Sequence, residues 1–344
     1  MERMELKLKY KFEEQMNELR LNLPEFAFQK IDQHLIFQEM FHGKELKPFF
    51  RPRIYQIETT SRCNLACPFC PRTTDLLKNN VRDLNATMSL KNFTMVLDKM
   101  PWVKSLELFH FGEPFMHKDF ENYVQACTER GIYTVVASNL LPATPEKIDK
   151  VFDAGLNFLV MDVDSLDPEK YASMRVNGRL RILQDRVKYI LAHPKRPYTV
   201  AQTIKIDGVD EYTEDEFKRW TGGLMPDEIR YKFLDSFRGE VAVEKEILGP
   251  EDICREPFYG FTIHVNGNVV VCDRDWAGEN IMGNIFELTV SEIWYGEKYR
   301  KFRKQMLSNE KPDMCKKCPE GKLFNARSQP HIQVNMMKGL EQKM

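Results

Sequence analysis

The chain has almost no excess of charge of either sign: 50 Lys and Arg stand against 51 Asp and Glu, a net charge of −1 over 344 residues. No global field is available to recruit a polyanion, so neither nucleic acid nor an anionic membrane surface is expected as a partner. Long apolar runs are also missing. None approaches the roughly 18 residues that span a bilayer, and the N-terminus is charged from Glu2 onward, with no apolar signal core. A cytoplasmic location is expected. There is no internal repeat and no low-complexity tract. At 42% hydrophobic and 11% aromatic, extensive disorder is excluded, and the length suits one large α/β domain with a smaller module.

Cysteine is sparse, and its eight positions are uneven. Cys63, Cys67 and Cys70 crowd one segment, and Cys315 and Cys318 another, which in a reducing compartment points to metal rather than disulfides. Cys127 stands apart from any ligand spacing. In a helix, flanked by Ala126, it reads as a small packed residue.

Residues 1–50 read as a helical cap or docking segment, with Leu6, Leu8, Phe12, Met16 and Leu19 interleaved with charge. From residue 51 to 237 short β-rich runs (54–60, 105–109, 133–138, 158–162, 198–204 and 228–233) alternate with helix-length amphipathic stretches (90–100, 118–130, 145–154 and 180–192). Gly131 and Gly155 close two of those helices. Such alternation predicts parallel βαβ units, too few for a full barrel: an α/β fold with a partial (β/α)6 TIM-like barrel, its functional groups at the C-terminal strand ends. A linker follows at 238–250. Asn266-Gly267 then marks a hairpin between 261–264 and 269–272, and 288–307 reads as one amphipathic helix. The C-terminal module is placed at 238–325 and a tail at 326–344.

The segment Cys63-Asn64-Leu65-Ala66-Cys67-Pro68-Phe69-Cys70 directly follows the first strand. Three thiolates on one short loop suit three corners of a 4Fe-4S cluster and leave the fourth iron open, whereas zinc prefers four ligands in two pairs. This C-x3-C-x2-C loop, with Phe69 as the aromatic before the last cysteine, resembles the radical S-adenosylmethionine (SAM) superfamily. The resemblance implies that the open iron binds SAM and that reductive cleavage yields a 5′-deoxyadenosyl radical able to take hydrogen from an unactivated C–H bond.

Two further stretches extend the likeness. Phe111-Gly112-Glu113-Pro114 resembles the family's Gly-Gly-Glu-Pro motif, with Phe111 replacing the first glycine. Ser138-Asn139 resembles its ribose or carboxylate contact. The resemblance thus implies that Phe69, Gly112, Glu113, Pro114, Ser138 and Asn139 bind cofactor. On the residues alone, Glu113 is equally an acid at a helix start, and Ser138 and Asn139 are equally loop caps.

Cys254, Cys272, Cys315 and Cys318 form a second set, with twelve residues between Cys254 and Gly267 and 42 between Cys272 and Cys315. Four thiolates close a metal site, and alone they fit zinc or iron–sulfur. Gly283-Asn284-Ile285 and Ser291-Glu292-Ile293-Trp294 between them resemble the SPASM/twitch extension of radical enzymes, in its short form, which implies one auxiliary 4Fe-4S cluster. The favoured reaction is oxidation of a secondary alcohol on a sugar or cyclitol, with the auxiliary cluster accepting an electron and a flavodoxin- or ferredoxin-type protein as donor. Modification of a ribosomally made peptide is the nearest alternative, and redox-neutral epimerisation or rearrangement is third. Asp162, Asp164, Arg230 and His110 are the candidates for substrate chemistry.

Overall fold

The computed structural model describes residues 51–73, 82–205, 212–234, 254, 256–308, 310–316 and 318. The N-terminal segment, the 238–250 linker and the C-terminal tail lie outside them.

Six strands follow one another with helices between: β1 (Ile54–Ile57), α1 (Leu90–Asp98), β2 (Ser105–Glu107), α2 (Phe120–Thr128), β3 (Tyr133–Ser138), α3 (Pro145–Asp153), β4 (Phe158–Asp162), α4 (Pro168–Met174), α5 (Leu180–Ala192), β5 (Tyr198–Lys205), α6 (Glu214–Thr221) and β6 (Glu228–Phe233). All neighbouring pairs among β1 to β6 are parallel. The alternation therefore produced the predicted open, partial barrel. Two helices escaped the sequence reading although both carry start signals. Asp167 caps α4 ahead of Pro168, and Thr213 with Glu216 forms a capping box on α6, which Gly222 closes in a left-handed conformation.

The C-terminal strands join the same sheet. After α7 (Glu256–Tyr259), β7 (Gly260–Ile263) pairs parallel to β1, and β8 (Asn268–Val270) and β9 (Ile281–Asn284) continue antiparallel. The nine strands run β6-β5-β4-β3-β2-β1-β7-β8-β9. Gly267 sits in the hairpin at φ +84°, and a Cβ there would lie 2.7 Å from Phe286 and Asn284 atoms, so only glycine fits. The expected helix at 288–307 is two: α8 (Val290–Trp294) and α9 (Glu297–Met306), separated at Tyr295-Gly296.

Strand alternation separates two apolar regions. Tyr55, Ile57, Leu106, Val136, Leu159 and Ala201 face the helices in the main core. Tyr133, Val135, Phe158, Val160 and Val200 instead pack together as a second cluster, the plug of the barrel interior. Lys99, at the end of α1, ties the two regions of the chain by donating to the carbonyls of Ile285 (2.6 Å), Phe286 (3.3 Å) and Leu288 (3.0 Å). No helix among the described residues is long and apolar enough to cross a membrane.

Candidate active site

The first cysteine loop leaves the C-terminal end of β1. Cys67 is buried, Cys63 and Cys70 are half-buried, and all three thiols are free. The loop is turned by Cys70 N–H donating to the Cys67 carbonyl (3.0 Å) and by Thr73 donating to the carbonyls of Cys67 and Cys70. Burial, followed by the charge of Glu113, pushes the Cys63 thiol up to about 12; burial also raises Cys67 and Cys70. Bare thiolates are thus costly here, and a bound metal would stabilise them.

The segment after β2 crosses directly beneath this loop. A Cβ at Gly112 would stand 1.8 Å from the Thr60 carbonyl oxygen, so no larger residue fits, and the next residue donates its N–H to the Arg62 carbonyl at 2.7 Å. Glu113 is 3% exposed. Its Oε1 accepts from Ser138 Oγ (2.7 Å) and from Phe115 N–H (3.0 Å); its Oε2 accepts from Asn139 N–H (2.8 Å). It therefore caps the short 3-10 turn Pro114–Met116 and also joins the ends of β2 and β3. A carboxylate has about four acceptor positions, so one on Oε2 remains for a ligand cation. Burial raises Glu113 to about 7, against these donors. Asn139 Nδ2 reaches Asn64 Oδ1 at 3.1 Å and lies 4.0 Å from Cys63 Sγ. Glu113, Ser138, Asn139 and Cys63, scattered over 76 residues of chain, are thus one cluster.

Asp162 and Asp164 meet on Arg175, which the sequence reading missed. Arg175 Nε binds Asp164, and Nη2 lies 3.4 Å from Asp162 Oδ2. Nη1 is directed at Cys67 Sγ, 3.7 Å away, and the guanidinium stacks over Phe69 at 5.4 Å. Burial pushes Asp162 up against the pull of Arg175; Arg175 is held charged by its two aspartates despite its burial. Arg230 is paired with Glu228 at 3.0 Å. Among the described residues the non-glycines in the left-handed region are Leu140, Asp164 and Asn177, and all three adjoin this site. Each stores about 1–3 kcal/mol of strain, which the surrounding contacts must offset.

A second buried polar group lies at the ends of β1, β2 and β7. Glu58, fully buried, binds Arg82 and accepts from Val265 N–H at 3.1 Å. Burial alone would raise its pKa, but Arg82 and then the His110 contact hold it well below the usual range. His110 Nδ1 faces Glu58 Oε1 at 3.7 Å, and its ring stacks on His264 at 5.2 Å. Burial, then Arg82, depresses His264 far below its ordinary value, so its ring is neutral. Its Nε2 has no hydrogen-bond partner among the described residues.

His110 Nε2 also bonds the Asp273 carbonyl at 2.7 Å, one residue beyond Cys272. Arg82 reaches the Trp276 carbonyl at 2.5 Å. Phe111 and Leu84 pack on Trp276 and Ala277, which explains why a bulky residue replaces the motif's first glycine. Cys254, Cys272, Cys315 and Cys318 are half-buried, and none forms a disulfide. Cys272 is pushed well upward by burial, then by Asp273, Asp275 and the neighbouring Cys315, and Cys318 N–H donates to the Cys315 carbonyl at 3.3 Å. Among the described residues no three His, Cys, Asp or Glu side chains converge on a single ion. Cluster thiolates each bind a different iron, so such convergence is not required of them. By donor chemistry, both sets of thiols suit iron–sulfur clusters.

Comparison with known proteins agrees with this geometry. The Radical SAM superfamily matches residues 57–220, and the SPASM iron-sulfur cluster-binding domain matches residues 254–319. The S-adenosyl-L-methionine-dependent 2-deoxy-scyllo-inosamine dehydrogenase of Niallia circulans is 21% identical over 76% of this chain and 91% of its own length. PqqA peptide cyclase of Xanthomonas oryzae pv. oryzae is 23% identical over 77% and 79%. In fold, the chain resembles SuiB of Streptococcus suis, solved with the precursor peptide SuiA. That likeness has a TM-score of 0.57 at 15% identity and covers 80% of this chain and 72% of SuiB. The chain belongs to the radical SAM superfamily, with a C-terminal SPASM domain, and its cofactors are a 4Fe-4S cluster, SAM and auxiliary iron–sulfur.

Proposed function

We propose that this enzyme oxidises a secondary alcohol carbon of a sugar or cyclitol by two electrons, with one auxiliary 4Fe-4S cluster as electron acceptor. The observation that carries this reading is the His110 contact: a residue immediately ahead of the Phe111-Gly112-Glu113-Pro114 segment touches Asp273, the neighbour of Cys272. Substrate bound against it would lie between the two cysteine sets. When bound, the open-site cluster and SAM supply the 5′-deoxyadenosyl radical that takes a hydrogen atom.

The chain's own residues do the rest. Cys63, Cys67 and Cys70 hold the first cluster, and Cys254, Cys272, Cys315 and Cys318 hold the auxiliary one. Glu113, on its spare lone pair, accepts from the ammonium of SAM, while Ser138 and Asn139 fix the carboxylate that does so. Glu58, His110 and His264 form a polar wall for substrate. Neutral His264, with Nε2 unpartnered among the described residues, offers an acceptor for the hydroxyl hydrogen, although its depressed pKa makes it a weak base. A flavodoxin- or ferredoxin-type protein in the reducing cytoplasm would deliver the first electron.

Likeness to the Niallia circulans dehydrogenase supports the oxidation. Likeness to PqqA peptide cyclase and SuiB favours a second reading, crosslinking of a peptide. Epimerisation needs a spare cysteine to return hydrogen, but Cys127 is fully buried in the main core and its thiol is pushed up to about 12 by that burial.

The test is incubation of reduced, reconstituted protein and SAM with panels of aminosugars, cyclitols and peptides. Substrate-dependent 5′-deoxyadenosine together with a hydrazine-trappable ketone supports the proposal. A crosslinked peptide, or no turnover of any sugar or cyclitol, overturns it. Iron content gives an independent measure: about eight irons, falling to about four in Cys63→Ala/Cys67→Ala/Cys70→Ala, is expected for two four-iron sites.

A further inference from the structure

The turn that follows α4 grips the first cysteine loop at two points. The Val176 carbonyl accepts Ala66 N–H at 3.0 Å, and the preceding residue, Arg175, directs Nη1 at Cys67 Sγ at 3.7 Å, within the longer range that sulfur's size gives an N–H···S contact. The aim of that N–H is set from several sides. Asp164 holds Nε, Asp162 stands at 3.4 Å from Nη2, and the Phe69 ring lies against the guanidinium face. Asp164 is itself fixed by Ile204 N–H at 3.0 Å and by its left-handed backbone at φ +44°.

A guanidinium that served merely to neutralise two buried aspartates would need no contact with sulfur. Here the fork directs a third N–H at a cysteine. With two carboxylates beside it the guanidinium's charge is offset, so its distant field does little to favour reduction. The directional N–H is what does. Reduction places added negative charge partly on the thiolate sulfurs, so a donor aimed at one of them binds the reduced state more strongly.

We propose that Arg175 is a positioning residue for the first cluster: its guanidinium donates a charge-assisted hydrogen bond to the Cys67 thiolate and raises the reduction potential of the cluster held by Cys63, Cys67 and Cys70. The inference rests on those three cysteines being the ligands.

The experiment is a mediator titration of reconstituted, SAM-free holoenzyme, with each cluster followed by its own EPR signal. Arg175→Lys keeps the charge that balances the aspartates but cannot serve both carboxylates and sulfur with a planar fork. The reduced-to-oxidised ratio of the first cluster is expected to fall about tenfold at fixed potential, equivalent to about 59 mV for one electron. Asp162→Asn removes a negative charge beside the guanidinium and is expected to shift the same cluster the opposite way. The auxiliary signal should stay in place in both variants.

An unchanged first-cluster potential in Arg175→Lys, or equal shifts in both clusters, overturns the proposal. If Arg175→Lys fails to retain iron, pulsed EPR of wild-type protein carrying 15N-arginine decides: the absence of a guanidinium 15N coupling to the reduced first cluster overturns the proposal. The Cys63→Ala/Cys67→Ala/Cys70→Ala protein is the control for the ligand assignment. Persistence of the first signal there would show that the assignment, rather than the role of Arg175, has failed.

Discussion

Glu113→Gln tests the chemistry of the site without any substrate. In the folded protein the carboxyl titrates at about 7, against an ordinary value of 4.5. Between those values the native state keeps a proton that the unfolded chain has released, so stability falls as pH rises from about 4.5 to about 7, then levels. At roughly 1.4 kcal/mol for each tenfold in proton affinity, the loss is about 3 kcal/mol. The variant does not titrate and should lose this slope.

It also has a cost of its own. Three donors converge on the carboxylate, from Ser138, Phe115 and Asn139, and a glutamine must turn an NH2 toward one of them, at about 1–3 kcal/mol. The expected result for cofactor-free protein is a variant less stable than wild type near pH 5, with the difference closing or reversing near pH 8. Urea unfolding at each pH measures it. Parallel stability curves for the two proteins would refute the reasoning.

Gly112→Ala should be worse tolerated than its size suggests, because the new methyl meets the Thr60 carbonyl at 1.8 Å and cannot be relieved by a side-chain rotation. A loss above about 3 kcal/mol, read as a lower thermal midpoint together with reduced iron retention, is expected. Arg303 is fully buried, donates to the carbonyls of Pro257 (2.9 Å) and Trp294 (2.8 Å), and stacks on Trp294 and Tyr299. Arg303→Met fills the space but strands those carbonyls, so a drop of about 2–4 kcal/mol is expected in denaturant unfolding. Cys127→Ala should cost about 1 kcal/mol or less in packing and leave substrate-dependent 5′-deoxyadenosine formation at the wild-type rate. In native protein Cys127 should resist iodoacetamide, and rapid labelling would contradict its burial.

Much of the barrel was legible because parallel strands are read from local sequence. The bounds expected for 133–138, 158–162 and 228–233 coincide with β3, β4 and β6. Strand β1 stops at Ile57 rather than at 60, because Glu58 to Thr60 turn into the cysteine loop, where Thr60 bridges to Thr87 instead. The helix expected at 288–307 broke because Gly296 interrupts an otherwise continuous amphipathic pattern and Thr289 with Glu292 caps a separate short helix. The attachment of β7 to β1 was not legible. Hairpin signals specify the partner across the turn, not the strand on the other side.

The site divides along the same line. The three-thiol loop was legible from spacing, because its thiols are covalently near; the four-thiol set and the Gly-Glu-Pro segment were legible only through their resemblance to family motifs. Pairing between distant strand ends was decided by the sheet. Parallel strands bring their C-terminal ends to one rim, which is why Glu113 meets Ser138 and Asn139, and why Glu58 meets His110 and His264. Arg175 carries no signal in its neighbours and lies 108 residues from Cys67. Its role exists only after α4 has packed and delivered a guanidinium to the sulfur, a contact that no local propensity encodes.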